Sequence, residues 1–89
     1  MKPEELINER AKTHGSYPHT AHYAQRLKTI FNGTRGARTD IQNESLDLIA
    51  TKLARILSGQ ADHIDHWADA AGYCQLVVDS LEIRNVNEP

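Results

Sequence analysis

The stretch from Thr39 to Gly59 carries the pattern that most constrains the fold. Thr39 and Gln42 match a capping box, in which each side chain satisfies a backbone donor of the other at the start of a helix. Apolar residues then recur along one helical face without a gap, and Gly59 follows as a stop. These residues are Leu46, Ile49, Ala50, Leu53, Ile56 and Leu57. The pattern predicts an amphipathic helix ending near Ser58, which needs neighbours for its apolar face.

Glycines and prolines divide the remaining chain into three further helical stretches. The first begins at Pro3 and ends before Gly15, and the second runs from Pro18 or His19 to Asn32. The last runs over about 62–81, and no window alternates as a strand does. We therefore predict an all-α fold, a compact bundle of about four helices. Two short N-terminal helices would pack on a long antiparallel hairpin.

The chain is predicted to form one helical domain over 1–89, with its core at about 4–82, a loop at 33–38 and a frayed tail at 83–89. Apolar positions of the second helix are Tyr23, Ala24, Leu27, Ile30 and Phe31. In the last helix we predict a buried stripe formed by Ile64, Trp67, Ala68, Ala71, Cys74, Val78 and Leu81. An acidic stripe would lie on its opposite side, formed by Asp62, Asp65 and Asp69 with Tyr73.

Composition excludes several functional classes. Ten Lys and Arg against twelve Asp and Glu give a net charge of −2, which disfavours generic duplex DNA binding. Cys74 is the only cysteine, so no intramolecular disulfide can form, and no apolar run is long enough to span a membrane. These features predict a cytoplasmic protein. With 89 residues the core is small, so we expect a homo-oligomer.

Charged residues on the last two helices form the main candidate site. In an antiparallel hairpin, Lys52 and Arg55 can oppose Asp65 and Asp69, which would orient the two cations in a polar pocket for an anionic ligand. The alternative is a solvated surface, where such pairs contribute under about 1 kcal/mol. Gly72 lies beside the acidic stripe, and a glycine inside a helix can mark a close approach.

Two weaker patterns suggest metal binding. Four carboxylates on the two helices, Glu44, Asp47, Asp65 and Asp69, are candidate Mg²⁺ ligands for nucleotide hydrolysis, although charged pairs on exposed helices are also common. His19 with His22, and His63 with His66, have the i, i+3 spacing of metal ligands, but the sequence fixes no third ligand.

The segment from His14 to Tyr17 follows the first helix. Gly15 can adopt positive φ, which would let the Tyr17 ring fold back over a neighbouring surface and stack on a base. The alternative is an ordinary helix stop, with Tyr17 as a hydrophobic lid.

The order of these motifs resembles a family of small helical proteins from bacteriophages and prophages. It also looks like the phage nucleotide-modification-associated domain and, more distantly, the MazG-like nucleotide pyrophosphohydrolases, which hold Mg²⁺ with paired carboxylates. The resemblance covers about residues 8 to 82. The matching residues are His14, Tyr17, Lys52, Arg55, Asp65, Asp69 and Tyr73. The resemblance implies a phage-derived protein, working in the bacterial host cytoplasm, with a connection to nucleotides.

Three hypotheses follow. In the first, the protein binds a nucleotide-like ligand, with Lys52 and Arg55 on phosphate and Tyr17 or Tyr73 on the base. In the second, it is a Mg²⁺-dependent nucleotide pyrophosphohydrolase. In the third, it is an inhibitor that binds a host enzyme or defence complex, and the motif residues are structural ion pairs that lock the hairpin.

Overall fold

The computed structural model describes residues 2–7, 16–34 and 36–87. Helix α1 covers residues 3–7, α2 is Tyr17–Gly33, α3 is Asp40–Arg55, and α4 is Ile64–Asn87. A π-helical turn, Ile56–Gln60, follows α3 directly. No strand occurs in these ranges, so the all-α prediction is confirmed. None of the described helices is long and apolar enough to cross a membrane.

Two helix bounds differ from prediction. α2 begins at Tyr17, directly after the extended Ser16, and with 17 residues it is as long as α3 with 16. The prediction of two short N-terminal helices is therefore wrong for α2. α4 continues through Asn87, so most of the predicted frayed tail is helical.

Both ends of α3 follow from the sequence. At its start, the Gln42 backbone N–H donates to Thr39 Oγ1 at 3.1 Å, and the Thr39 N–H donates to Gln42 Oε1 at 2.9 Å, which confirms the capping box. After its end, Gly59 has φ of 113°, in the region that other residues rarely adopt. Gly59 therefore stops the helix as predicted, and it forms the turn between α3 and α4.

Helix α3 lies between α2 and α4 and packs against both. The fully buried apolar residues in the described chain are all alanines, Ala24, Ala50 and Ala54. Most of the larger apolar residues that we expected on the apolar faces of the second and third helices are partly buried, but Ile30 and Leu57 are exposed, and so are Ile41 and Leu48 of α3. The core is consequently thin. The radius of gyration, 15.7 Å, exceeds the value of about 12 Å for a compact chain of this length.

The orientation of α4 is opposite to the predicted one. Ile64, Trp67 and Val78 are exposed by 77%, 53% and 43%, and Ala68, Ala71 and Cys74 of the same predicted stripe are exposed as well. Only Leu81 of that stripe is partly buried. The side of α4 with low exposure instead consists of His66, Ala70, Tyr73 and Val77. Because α4 carries apolar residues on both sides, hydrophobic pattern alone did not determine which side meets α3.

Candidate functional site

An ion pair joins the two helices of the hairpin. Lys52 Nζ lies 2.8 Å from Asp69 Oδ2, and the lysine side chain is 15% exposed, whereas that of the aspartate is 48% exposed. The hydrogen bond and positive charge of Lys52 hold the pKa of Asp69 below its ordinary value of 3.8. The predicted contact between Lys52 and Asp69 is confirmed. It fixes the register of α3 against α4.

Two further basic groups act on the same carboxylate through their charges. His66 and Arg55 both lie near enough to Asp69 to lower its pKa further, after the larger effects of Lys52. Arg55 is partly buried, and the Ser58 hydroxyl donates to its backbone oxygen at 3.1 Å. His66 is 1% exposed and is the largest fully buried side chain of the described residues. Lys52, Arg55, His66 and Asp69 thus form one cluster, which we call the hairpin cluster.

A hydrogen bond brings the start of α2 to the same end of the molecule. Thr20 Oγ1 and Ser58 Oγ are 2.9 Å apart, which joins the first turn of α2 to the π-helical turn after α3. α4 begins a few residues after that turn, so the N-termini of α2 and α4 both lie at this end. Helix N-termini carry partial positive charge, and this favours anions. Tyr17, one turn before Thr20, is 76% exposed here.

The side chains of His63, His66 and Trp67 make contacts at the start of α4. The rings of His63 and His66 are in edge contact, with centroids 4.7 Å apart. His63 Nε2 lies 3.8 Å from Asp65 Oδ2, a weak contact on an exposed carboxylate. The Trp67 indole N–H donates to the Ala61 backbone oxygen at 2.7 Å, closing the turn that leads into α4.

The other predicted site residues do not all lie where the sequence analysis places them. Arg55 does not pair with Asp65, whose ion-pair contact is with His63. Tyr73 lies one turn beyond Asp69 and is partly buried on the inner side of α4. Tyr17 is largely exposed at the start of α2, which fits neither a ring folded back over a neighbouring surface nor a hydrophobic lid. His14 and Gly15 lie outside the described residues.

The carboxylates do not form the predicted Mg²⁺ site. No three His, Cys, Asp or Glu side chains come together to hold a metal ion in the part of the chain that the structure describes. Glu44, Asp47, Asp65 and Asp69 therefore do not fit a shared cation, and the paired histidines gain no third ligand. A Cβ added to Gly72 would meet nothing within 4 Å, so nothing in the described chain approaches closely there.

His66 is the member of the hairpin cluster that sequence reasoning missed. Its spacing from His63 indicates only a metal ligand. The sequence does contain a pattern that indicates burial of His66. A second stripe of low polarity recurs along α4 at helical spacing, formed by His66, Ala70, Tyr73 and Val77. That stripe is the one that the structure buries.

Comparison with protein-family models, with curated proteins and with solved structures finds no match. The resemblance to phage proteins therefore stays a prediction, and function has to be inferred from the geometry of the residues.

Proposed function

We propose that the protein is a small accessory protein that binds a nucleotide or nucleotide-like anion at the hairpin cluster, without catalysis. The observation that carries this proposal is the excess of basic groups around a single carboxylate. Lys52 pairs directly with Asp69, and Arg55 and His66 both act electrostatically on the same carboxylate. Lys52 and Arg55 carry two positive charges against the single charge of Asp69, at the end of the molecule where α2 and α4 begin, and phosphate is the ligand chemistry that such a site attracts.

Each residue then has a distinct role. Arg55 presents a planar guanidinium that can bind phosphate through paired hydrogen bonds. Lys52 is positioned by Asp69 and contributes charge more than direct contact, because its side chain is mostly buried. Tyr17 is exposed at the same end, where its ring can stack on a base. Turnover is not part of the proposal, since no candidate metal ligands converge in the described chain.

The test is calorimetric titration with a panel of nucleoside mono-, di- and triphosphates. We expect Arg55→Ala to weaken binding at least about tenfold, because a hydrogen bond to a charged group contributes about 1.5–3 kcal/mol. Arg26→Ala is the matched control, since Arg26 is an exposed arginine on the outside of α2 and should not affect affinity. Equal affinity of the Arg55 variant and the unmodified protein for every nucleotide would refute the proposal.

A second candidate is an inhibitor that binds a host protein, with the motif residues acting structurally. The observation that favours it is the burial of Lys52, whose ammonium is already engaged by Asp69. This candidate predicts that substitutions of Lys52 and Asp69 have coupled effects on stability. Lys52→Met and Asp69→Asn would each lower the melting temperature, the double variant would recover part of the loss, and no nucleotide would bind. Nucleotide binding that is lost in Arg55→Ala would contradict this candidate.

A further inference from the structure

An exposed apolar surface lies along the outer side of α4. We define the α4 outer face as Ile64, Trp67, Ala68, Ala71, Cys74 and Val78. All six side chains are exposed, and none carries a charge. A contiguous apolar surface of this kind on a small protein marks an interaction site, since scattered apolar residues would not align along one helix.

The spacing on this face is that of a helix-to-helix seam. Ile64, Trp67, Ala71, Cys74 and Val78 alternate intervals of three and four residues, and Leu81 continues the series at the edge of the face. This is the a and d pattern of a coiled coil, in which the period of 3.5 keeps the seam aligned with a partner helix. The seam extends over about 26 Å at a rise of 1.5 Å per residue.

The total surface of the chain exceeds that of a compact monomer. The accessible area is 6499 Å², whereas a compact monomer of 10.0 kDa has about 5,200 Å². The excess is roughly 1,300 Å², and one subunit contributes about 800 Å² to a standard interface. A second copy seated on the α4 outer face would bury part of this exposed area.

The distribution of side-chain size makes the face complementary to itself. Within the seam formed by Ile64, Trp67, Ala71, Cys74, Val78 and Leu81, the two smallest residues, Ala71 and Cys74, lie in the middle, so two helices can approach closely there. Larger residues lie at both ends. In an antiparallel pair, Trp67 lies beside Val78 of the partner subunit, and the helix dipoles oppose each other favourably. A two-fold arrangement of this kind closes on itself as a dimer.

We propose that two copies of this chain associate through the α4 outer face as an antiparallel helix pair, with the two-fold axis between Ala71 and Cys74. This interface is separate from the hairpin cluster, which lies on the inner side of α4, and it does not rest on the nucleotide proposal.

Sedimentation equilibrium over about 1–200 µM tests the interface. We expect the full chain to have twice the mass of 10.0 kDa, and Ala71→Glu to be monomeric with an unchanged helical circular dichroism spectrum. Since Ala71 is exposed on a helix surface, the glutamate does not compromise the fold. Leu76→Glu is the control, because Leu76 is an exposed apolar residue of α4 outside the face, and it should remain dimeric. A monomeric full chain, or a dimeric Ala71→Glu, would overturn the proposal.

Disulfide trapping tests the orientation in a Cys74→Ser background. The antiparallel pair places residue 64 beside residue 81 of the partner subunit, so a mixture of Ile64→Cys and Leu81→Cys should crosslink on oxidation. Leu81→Cys alone should not, because its two copies would be about 25 Å apart along the axis. Crosslinking of Leu81→Cys alone indicates a parallel pair and would contradict the antiparallel arrangement, as would failure of the mixture to crosslink.

Discussion

Replacing Gly59 and Gly72 by alanine tests the hairpin, because the same chemical change should have opposite effects at the two sites. Gly59 has φ of 113°, where a side chain is strained although a Cβ would meet nothing within 4 Å. The strain costs about 1–3 kcal/mol, and the lower entropy of the unfolded chain offsets about 0.4–1 kcal/mol of this. Gly59→Ala should therefore lower stability by about 1–2 kcal/mol.

Gly72 lies inside α4 with helical backbone and open space around its Cα. Alanine there should raise stability by about 0.5–1 kcal/mol, because glycine loses more backbone entropy in a helix.

Thermal unfolding followed by circular dichroism at 222 nm measures both effects at one protein concentration. For a domain of this size, about 4–8 °C corresponds to 1 kcal/mol. We expect Gly59→Ala to melt about 4–16 °C lower than the unmodified protein and Gly72→Ala about 2–8 °C higher. A neutral or stabilising Gly59→Ala would mean that the chain does not turn between α3 and α4 as described. The register that pairs Lys52 with Asp69 would then lose its basis.

Three further substitutions test individual contacts. Thr39→Ala removes the capping acceptor of α3 and should lower the free energy of unfolding in urea by about 1 kcal/mol. Thr29→Ala is the control, because Thr29 lies at an exposed interior position of α2, and it should be neutral or stabilising. Equal effects of the two substitutions would contradict the capping box. The Asp69 pKa is lowered in the folded state, so the stability from its ion pair is present above the unfolded pKa of about 3.9 and is lost as pH falls through the folded pKa. Asp69→Asn should accordingly lose less stability than the unmodified protein when urea midpoints are compared between pH 5 and pH 2, and parallel curves would argue against the pair. Arg38→Ala should lower the free energy of unfolding by about 1–3 kcal/mol. The Arg38 guanidinium donates to the Phe31 backbone oxygen at 2.6 Å and to Asn43 Oδ1 at 2.9 Å, across the connection between α2 and α3. An unchanged urea midpoint would show that these hydrogen bonds do not stabilise the connection.

Local signals were sufficient to predict α3 and its ends. A capping box requires only residues three apart, and a glycine stop requires only one residue in an unusual conformation. Both depend on backbone chemistry inside a short window, so Thr39, Gln42 and Gly59 were assigned correctly. The contact between Lys52 and Asp69 was also predicted, because complementary charges and a short connection restrict how two helices can face each other.

The inner side of α4 could not be predicted by the same reasoning. The stripe with Ile64 and Trp67 is at least as apolar as the one with Tyr73 and Val77, so periodicity favoured the wrong side. The predicted ion pair between Lys52 and Asp69 indicates which side of α4 faces α3. If Asp69 faces α3, a stripe on the opposite side of α4 must face away. Combining the two predictions would have shown that the Trp67 stripe is outward.

The interaction that favours this orientation of α4 is not the one that supplies most of the stability. The ion pair between Lys52 and Asp69 is partly exposed, and pairs of this kind contribute little free energy while still excluding other registers. The buried apolar residues of the described chain are three alanines, which remove little apolar area from water. In the proposed dimer the partner would cover Trp67 and Ile64, which the single chain leaves exposed. On this reasoning the ion pair favours the orientation in which this side of α4 is turned outward, and the proposed association through that side would supply free energy that the thin monomer core lacks.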